Sequence, residues 1–392
     1  MPPRPAPKLD IGFGEGGVPA GWHLSLLEQA GLLNPGGAED VVIAVLDTAP
    51  HPDRLRSAVL RPEFRRNWLL QRLASDLKRG EGLFDIDYDR RYYVTNDVRT
   101  GRNAAGEARY YLMPDHGLFV AGLARDVAPR ARIQLIRILN DYGGGDLYNL
   151  FAALTDLEHD LASKSIGHLV VNLSLTVMPD IRRLPNVWFE QKRQWQNTQL
   201  TGVMRMISYL EEGLRLLFES LHSQGALIVA AAGNDSLLAN QQQQRPHPPR
   251  TPARYPSTLS VTSVNHRFGP SLFANAACMP PLNSGVATFG GDWSGAKDEH
   301  GWPDMVRGVY ISSNFPEGEQ NSSGWADWCG TSFSTPIISG LGAHLLAQGW
   351  SAMQVMTRLT TSQRSRGEKL FGSAPDVPSL LANVIRVQQR FE

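Results

Sequence analysis

Val41-Val42-Ile43-Ala44-Val45-Leu46 is an unbroken apolar run, rich in β-branched residues, that stops at Asp47-Thr48. A strand with one face in water alternates apolar and polar residues. A run without a polar position suits a strand buried on both faces, and such strands belong mostly to parallel sheets joined by crossover helices. The rest of the chain supplies partners. Residues 132–138, 168–175 and 226–232 read as further strands, followed by segments at 258–264, 286–289 and 307–311. Helical patterns lie between them, at 68–77, at 147–161 and at 200–223, where Val203, Met206, Ile207, Leu210, Leu214, Leu217 and Leu221 follow the ~3.6-residue period. Further helices are expected at 22–33 and 376–391, and a hairpin around 92–94. The alternation predicts an α/β fold, a doubly wound, mainly parallel sheet with helices on both faces.

The chain has 392 residues, of which 42% are hydrophobic and 19% charged, enough for one large domain with a substantial core. Residues 1–20 read as an extended Pro/Gly-rich tail and 21–392 as a single domain. Polar, irregular insertions interrupt it at about 56–110, 177–198 and 236–252. Thirty-eight Lys and Arg balance 38 Asp and Glu, so neither nucleic acid nor an anionic membrane is expected as the main partner. No apolar run approaches the ~20 residues of a membrane span. The opening Met1-Pro2-Pro3-Arg4-Pro5 lacks the apolar segment of an export signal, so a cytoplasmic protein is expected. Cys278 and Cys329 form no disulfide framework and are expected to be free thiols.

Three segments carry groups that can do chemistry together. Asp47 ends a buried strand, where open α/β sheets place ligand sites, although an Asp there also serves to cap the next turn. His116 opens a helix whose Gly117, Ala121 and Gly122 imply tight packing. Gly330-Thr331-Ser332 leads into an apolar helical run, placing the Ser332 hydroxyl where unpaired N–H groups and the helix dipole favour developing negative charge. Ser332 in that position also reads as a plain helix cap. Pro336 is expected in the first turn, where it removes no hydrogen bond. A serine nucleophile needs a base, and the base an orienting acid; His116 and Asp47 are those residue types. Other chemistries find less support. Gly143-Gly144-Gly145 lacks the Lys and spacing of a phosphate loop. There is no H-E-x-x-H, and His222, His247, His266 and His300 have no ligand spacing.

Around these residues stand V-I-A-V-L-D-T, D-H-G-x-x-V-A-G, V-V-N-L-S-L, V-A-A-A-G-N and G-T-S-x-S-T-P, in that order. The set resembles the subtilisin-like (subtilase) serine peptidases, over roughly residues 38–350. The resemblance implies a serine endopeptidase with Ser332 as nucleophile, His116 as general base and then acid, and Asp47 holding the imidazole. Asn234 would donate to the oxyanion alongside the Ser332 backbone N–H. Gly143, Gly144, Gly145, Leu173, Ser174 and Leu175 would be edges pairing with an extended peptide. A side-chain pocket would lie between Ser174-Leu175-Thr176 and Ala231-Ala232-Gly233, its small walls suiting an apolar residue. Relatives often hold structural calcium; Asp141 and Asp146 make no assignable site, so no cofactor is expected.

The chain departs from the family pattern at Ala49, at Leu118 and Phe119 after His-Gly, and at Thr176 on the pocket rim. These departures imply a divergent member with its own specificity and a narrow substrate choice. The expected partners are a protein or peptide substrate and a regulatory or activating protein. Two other classes share the motifs: a pseudo-peptidase that only binds, and an acyl-transfer hydrolase or ligase.

Overall fold

The computed structural model describes residues 2–5, 40–79, 83–88, 111–177, 197–236, 246–265, 269–278, 285–293 and 304–360. In chain order these hold β1 (Arg4–Pro5), β2 (Val41–Asp47), α1 (Pro52–Ala58), α2 (Trp68–Arg79), β3 (Phe84–Asp87) and α3 (His116–Val127). Then come β4 (Arg132–Arg137), α4 (Leu147–Ala162), β5 (His168–Leu173), α5 (Asn197–Ser223), β6 (Leu227–Ala231), β7 (Thr258–Val264) and β8 (Gly285–Phe289). The last are β9 (Val306–Val309), β10 (Trp325–Trp328), α6 (Thr331–Ala347) and α7 (Ala352–Thr360).

Among the described residues, seven strands form one sheet in the order β3-β4-β2-β5-β6-β7-β8. Every neighbouring pair is parallel. The apolar run Val41–Leu46 is the sheet's interior. Val41, Ile43 and Val45 point into a cluster with Phe119, Val120, Ile338 and Leu341. Val42, Ala44 and Leu46 point the other way, to Leu154, Leu214 and Phe218. The two-residue alternation of a strand thus feeds two separate helical layers, and neither face of β2 tolerates a polar residue. The fold is the doubly wound α/β sheet expected.

The order also places the crevice. From β2 the chain goes outward to β3 and β4, then returns past β2 to lay down β5 on its other side. Beside such a reversal the loops leaving the carboxyl ends diverge and leave an opening. Asp47 is the last residue of β2, and Ser174 follows β5 directly. Helix α6 runs under the sheet, packed on α3, β5, β6 and β7. It is buried on nearly every side, which explains its lack of a polar stripe.

Two features differ from the sequence expectation. Phe84–Asp87, inside the stretch read as an insertion, pairs with β4 and forms the edge of the main sheet. Its Phe84 and Ile86 alternate with exposed or half-buried acids, a period too short to see among charged residues. Second, the strand expected at 307–311 is not in the parallel sheet. It is β9, antiparallel to β10, and β1 pairs on the other side of β10. The helix at 22–33, the hairpin at 92–94, the terminal helix at 376–391, and parts of the three insertions lie outside the described residues.

Candidate active site

Asp47 is fully buried at the end of β2, and its Oδ1 lies 2.8 Å from His116 Nδ1. The same oxygen accepts the Thr48 N–H at 2.6 Å, so the carboxylate both starts the next turn and faces the imidazole. Gly117 is what lets the two segments meet. A Cβ there would stand 1.9 Å from the Thr48 carbonyl oxygen and 2.8 Å from Asp47 Cβ. Thr48 Oγ1 accepts the Gly117 N–H at 3.0 Å and donates to the Pro114 carbonyl, tying the start of α3 to the end of β2. Asp115, just before His116, turns away: its Oδ2 accepts the N–H groups of Ile311 and Ser312 at 3.0 and 2.6 Å.

The imidazole packs against rings on its far side. Trp328 meets it edge-on at 5.2 Å between centroids, and Phe333 lies at 5.5 Å. Phe119, one of the departures from the family pattern, completes the group, 4.6 Å from Phe333 and 5.7 Å from Trp328. The departure therefore has a packing reason, since large apolar rings occupy that space together.

Phe333 follows Ser332, so the same contact brings the α6 N-terminus to His116. Gly330 precedes the first helical residue, which puts Ser332 second in the helix, past the capping position. Pro336 is therefore the sixth helical residue, outside the first turn where it was expected. A residue there would normally give its N–H to the Ser332 carbonyl. Ser174 Oγ takes that place, donating to Ser332 O at 2.8 Å. In return Ser332 Oγ donates to Ser174 O at 3.2 Å. Behind Ser174 the network continues into the core: Asn172 Nδ2 donates to Ser174 Oγ, and Ser339 Oγ donates to Asn172 Oδ1.

Asn234 sits after β6, and its Oδ1 accepts both the Thr331 N–H at 3.0 Å and the Thr331 hydroxyl at 2.9 Å. A backbone N–H can only donate, so the amide orientation is settled and Nδ2 is the group left to donate elsewhere. Nδ2 lies 3.4 Å from the point where a Gly330 Cβ would sit, beside the start of α6.

The expected groove residues fall in three places. Leu173 and Ser174 are buried, Leu175 is half-buried and Thr176 is exposed at the rim. Ala231 ends the neighbouring strand β6, and it and the following Ala232 and Gly233 are buried. Gly143, Gly144 and Gly145 form a tight turn in which Asn140 Oδ1 accepts from Tyr142 N and Gly144 N, and Gly143 takes φ +71°. Sequence reasoning missed Arg250 and Asp235. Arg250 Cγ would be 3.1 Å from a Cβ on Gly233, and its Nε donates to Asp235 Oδ2 at 2.8 Å. One wall of the expected small, apolar pocket thus carries an ion pair. Burial works to raise the Asp235 pKa, but the Arg250 bond and charge, with the Asn275 bond and the nearby His247, together hold the carboxyl below its usual range. No pattern marks Arg250, which lies in a Pro-rich stretch read as an exposed loop.

Cys278 and Cys329 are unpaired, and burial pushes the Cys329 thiol up to about 12, leaving it inert. Among the described residues, no group of three or more His, Cys, Asp or Glu is placed to hold a metal ion. No described helix is long and apolar enough to cross a membrane.

The subtilase family model (Peptidase S8) matches residues 38–374, and the chain belongs to that family. Among curated proteins it is similar to subtilisin E of Bacillus subtilis (strain 168), at 25% identity over 160 residues, which are 40% of this chain and 34% of that one. It is equally similar to the subtilisin of Bacillus pumilus, where the match covers 46% of the relative. The chain thus spans less than half the length of the curated relatives it matches. A solved lanthipeptide protease shares the fold, with a TM-score of 0.58 over 97% of this chain and 99% of that one, at 17% identity.

Proposed function

We propose that the protein is a serine endopeptidase working through an acyl-enzyme. The observation that carries this reading is the buried Asp47–His116 pair at 2.8 Å, set against the helix start that bears Ser332. With Nδ1 donating to the carboxylate, Nε2 is the ring nitrogen without a proton and serves as base. Ser332 Oγ adds to the substrate carbonyl carbon while its proton passes to Nε2. The carbonyl oxygen becomes an oxyanion, held by Asn234 Nδ2 and the Ser332 N–H. The C–N bond then breaks, and His116 returns the proton to the leaving amine. Water, activated the same way, cleaves the ester and restores Ser332.

The residues Gly143–Gly145, Leu173–Thr176 and Ala231–Gly233 would bind the substrate as an extended strand. A substrate N–H pairing with Ser174 O would take the acceptor that Ser332 Oγ now uses, and rotation about the Ser332 Cα–Cβ bond would bring the hydroxyl to His116. The free Cys278 and Cys329 support a reducing, intracellular setting. The Arg250–Asp235 pair supports a narrow choice of side chain beside the cleaved bond.

Labelling by a fluorophosphonate, with the adduct mapped by mass, tests the reading. Labelling at Ser332 that is lost in Ser332→Ala and falls about 10⁴-fold in Asp47→Asn is expected. Folded wild-type protein that never labels would favour the non-catalytic alternative. Probing cytosolic and exported fractions with the same reagent tests the location.

A further inference from the structure

We propose that Asn275 is a positioning residue for the oxyanion site, acting through Asn234; the inference rests on the assignment of Asn234 above. Asn275 is fully buried, in Ala274-Asn275-Ala276, well away in sequence from each motif. The turn that carries Asn234 is wrapped around its amide. Asn275 Oδ1 accepts the N–H of Asp235 at 3.0 Å, the N–H of Ser236 at 3.1 Å and the Ser236 hydroxyl at 3.0 Å. Its Nδ2 donates to Ala232 O at 3.2 Å and to Asp235 Oδ2 at 3.0 Å. Its backbone N–H donates to Gly233 O at 3.0 Å. Every residue flanking Asn234 is therefore bonded to this one side chain or its backbone.

The fit depends on Gly233. It has φ +114°, in the left-handed region, and a Cβ there would lie 2.5 Å from Asn275 Nδ2. The turn bends sharply so that the amide can occupy its inside. Asn234 itself makes no bond to Asn275; its side chain is fixed from the other direction by Thr331. Asn275 thus holds the backbone under Asn234, and Thr331 holds its amide. An oxyanion donor contributes only if it is aimed before charge develops, because reorganising it during the reaction would forfeit the gain. A short polar side chain with both a donor and an acceptor is needed at 275, and Asn fits where Ser or Ala would leave the turn's N–H groups unmet.

A double-mutant cycle on the full chain tests this, reading the second-order rate of fluorophosphonate labelling at Ser332. Asn234→Ala alone is expected to slow labelling about 10²-fold or more, the loss seen when one such donor is removed from subtilisin. Asn275→Ser is expected to slow it at least tenfold in the wild-type background, and by less than about twofold when Asn234 is already Ala. Thermal unfolding of each variant confirms that folded protein is compared. If Asn275→Ser does not fold, Asn275→Asp in a background carrying Asp235→Asn throughout, which keeps the volume and the acceptor and sets an amide against the new carboxylate, replaces it in the cycle. Equal slowing by the 275 substitution in both backgrounds would overturn the inference, as would no slowing in either. Unchanged labelling in Asn234→Ala would instead overturn the oxyanion assignment beneath it.

Discussion

Ser174 and Ser332 exchange hydrogen bonds: the hydroxyl of each donates to the carbonyl oxygen of the other, at 2.8 Å and 3.2 Å. The first of these bonds replaces a helical one. Pro336 has no N–H to give the Ser332 carbonyl, and the residue after β5 fills the gap. The backbone of the proposed nucleophile is therefore held by the segment after β5 that is expected to bind substrate.

That substitution of partners can be tested by restoring the missing donor. Ser174→Ala should destabilise by about 1–3 kcal/mol, because the Ser332 carbonyl is left without a partner. Pro336→Ala returns an N–H to the helix and should remove most of that cost in the double variant. Urea unfolding of the four proteins gives the coupling. Additive effects would mean that the two donors do not compete for Ser332 O.

Gly117→Ala should cost activity before it costs the fold. The added Cβ meets backbone, at 1.9 Å from Thr48 O, so β2 and α3 must separate. Overpacking of this kind costs about 1–3 kcal/mol, which a domain of this size survives. The separation falls on the 2.8 Å contact between Asp47 and His116. Fluorophosphonate labelling at least tenfold slower, in protein that still unfolds cooperatively, is the expected result.

A second buried ion pair lies away from the site. Arg125 Nη2 donates to Asp76 Oδ2 at 2.7 Å and its Nε to the same oxygen at 3.0 Å, joining α3 to α2. Burial lowers the Arg125 pKa, against the pull of Asp76. Asp76→Ala strands the guanidinium and should cost about 3–5 kcal/mol, whereas Asp76→Leu with Arg125→Met should recover most of the loss. Chemical denaturation distinguishes the two outcomes.

Asp126 gives a pH-dependent term. Burial raises its carboxyl to about 7. Its folded pKa is above the unfolded one, so the folded state holds the proton longer and stability falls as pH rises from about 4 to about 7. Above that range the full penalty of a buried charge remains. Asp126→Asn should therefore raise Tm most at pH 8, little at pH 4, and flatten the slope between. A Tm gain independent of pH would exclude this origin.

The residues expected to do chemistry were legible in the sequence because each sits at a local signal. Asp47 ends an apolar run, His116 starts a helix of small residues, Ser332 follows Gly330-Thr331, and Asn234 follows the glycine after the Ala226–Ala232 run. What was illegible depends on contacts across the chain. Arg250 looks like part of a Pro-rich loop until it lies on Gly233. Asn275 looks like a polar residue between two alanines until the 232–236 turn closes around it. Phe119 looks like an exception until Trp328 and Phe333 are placed beside it.

The sequence by itself pointed to the parallel sheet, because an apolar run such as Val41–Leu46 leaves both faces of its strand to be covered by helices, and the strand ends marked the candidate catalytic residues. Only the tertiary structure decided how Ser332 is held. Whether Pro336 falls in the first or second turn of α6, and so whether Ser332 O needs Ser174, depends on where the helix begins. Gly330 and Thr331 announce the helix locally, but the bond from Ser174 to Ser332 O forms only once α6 packs against β5.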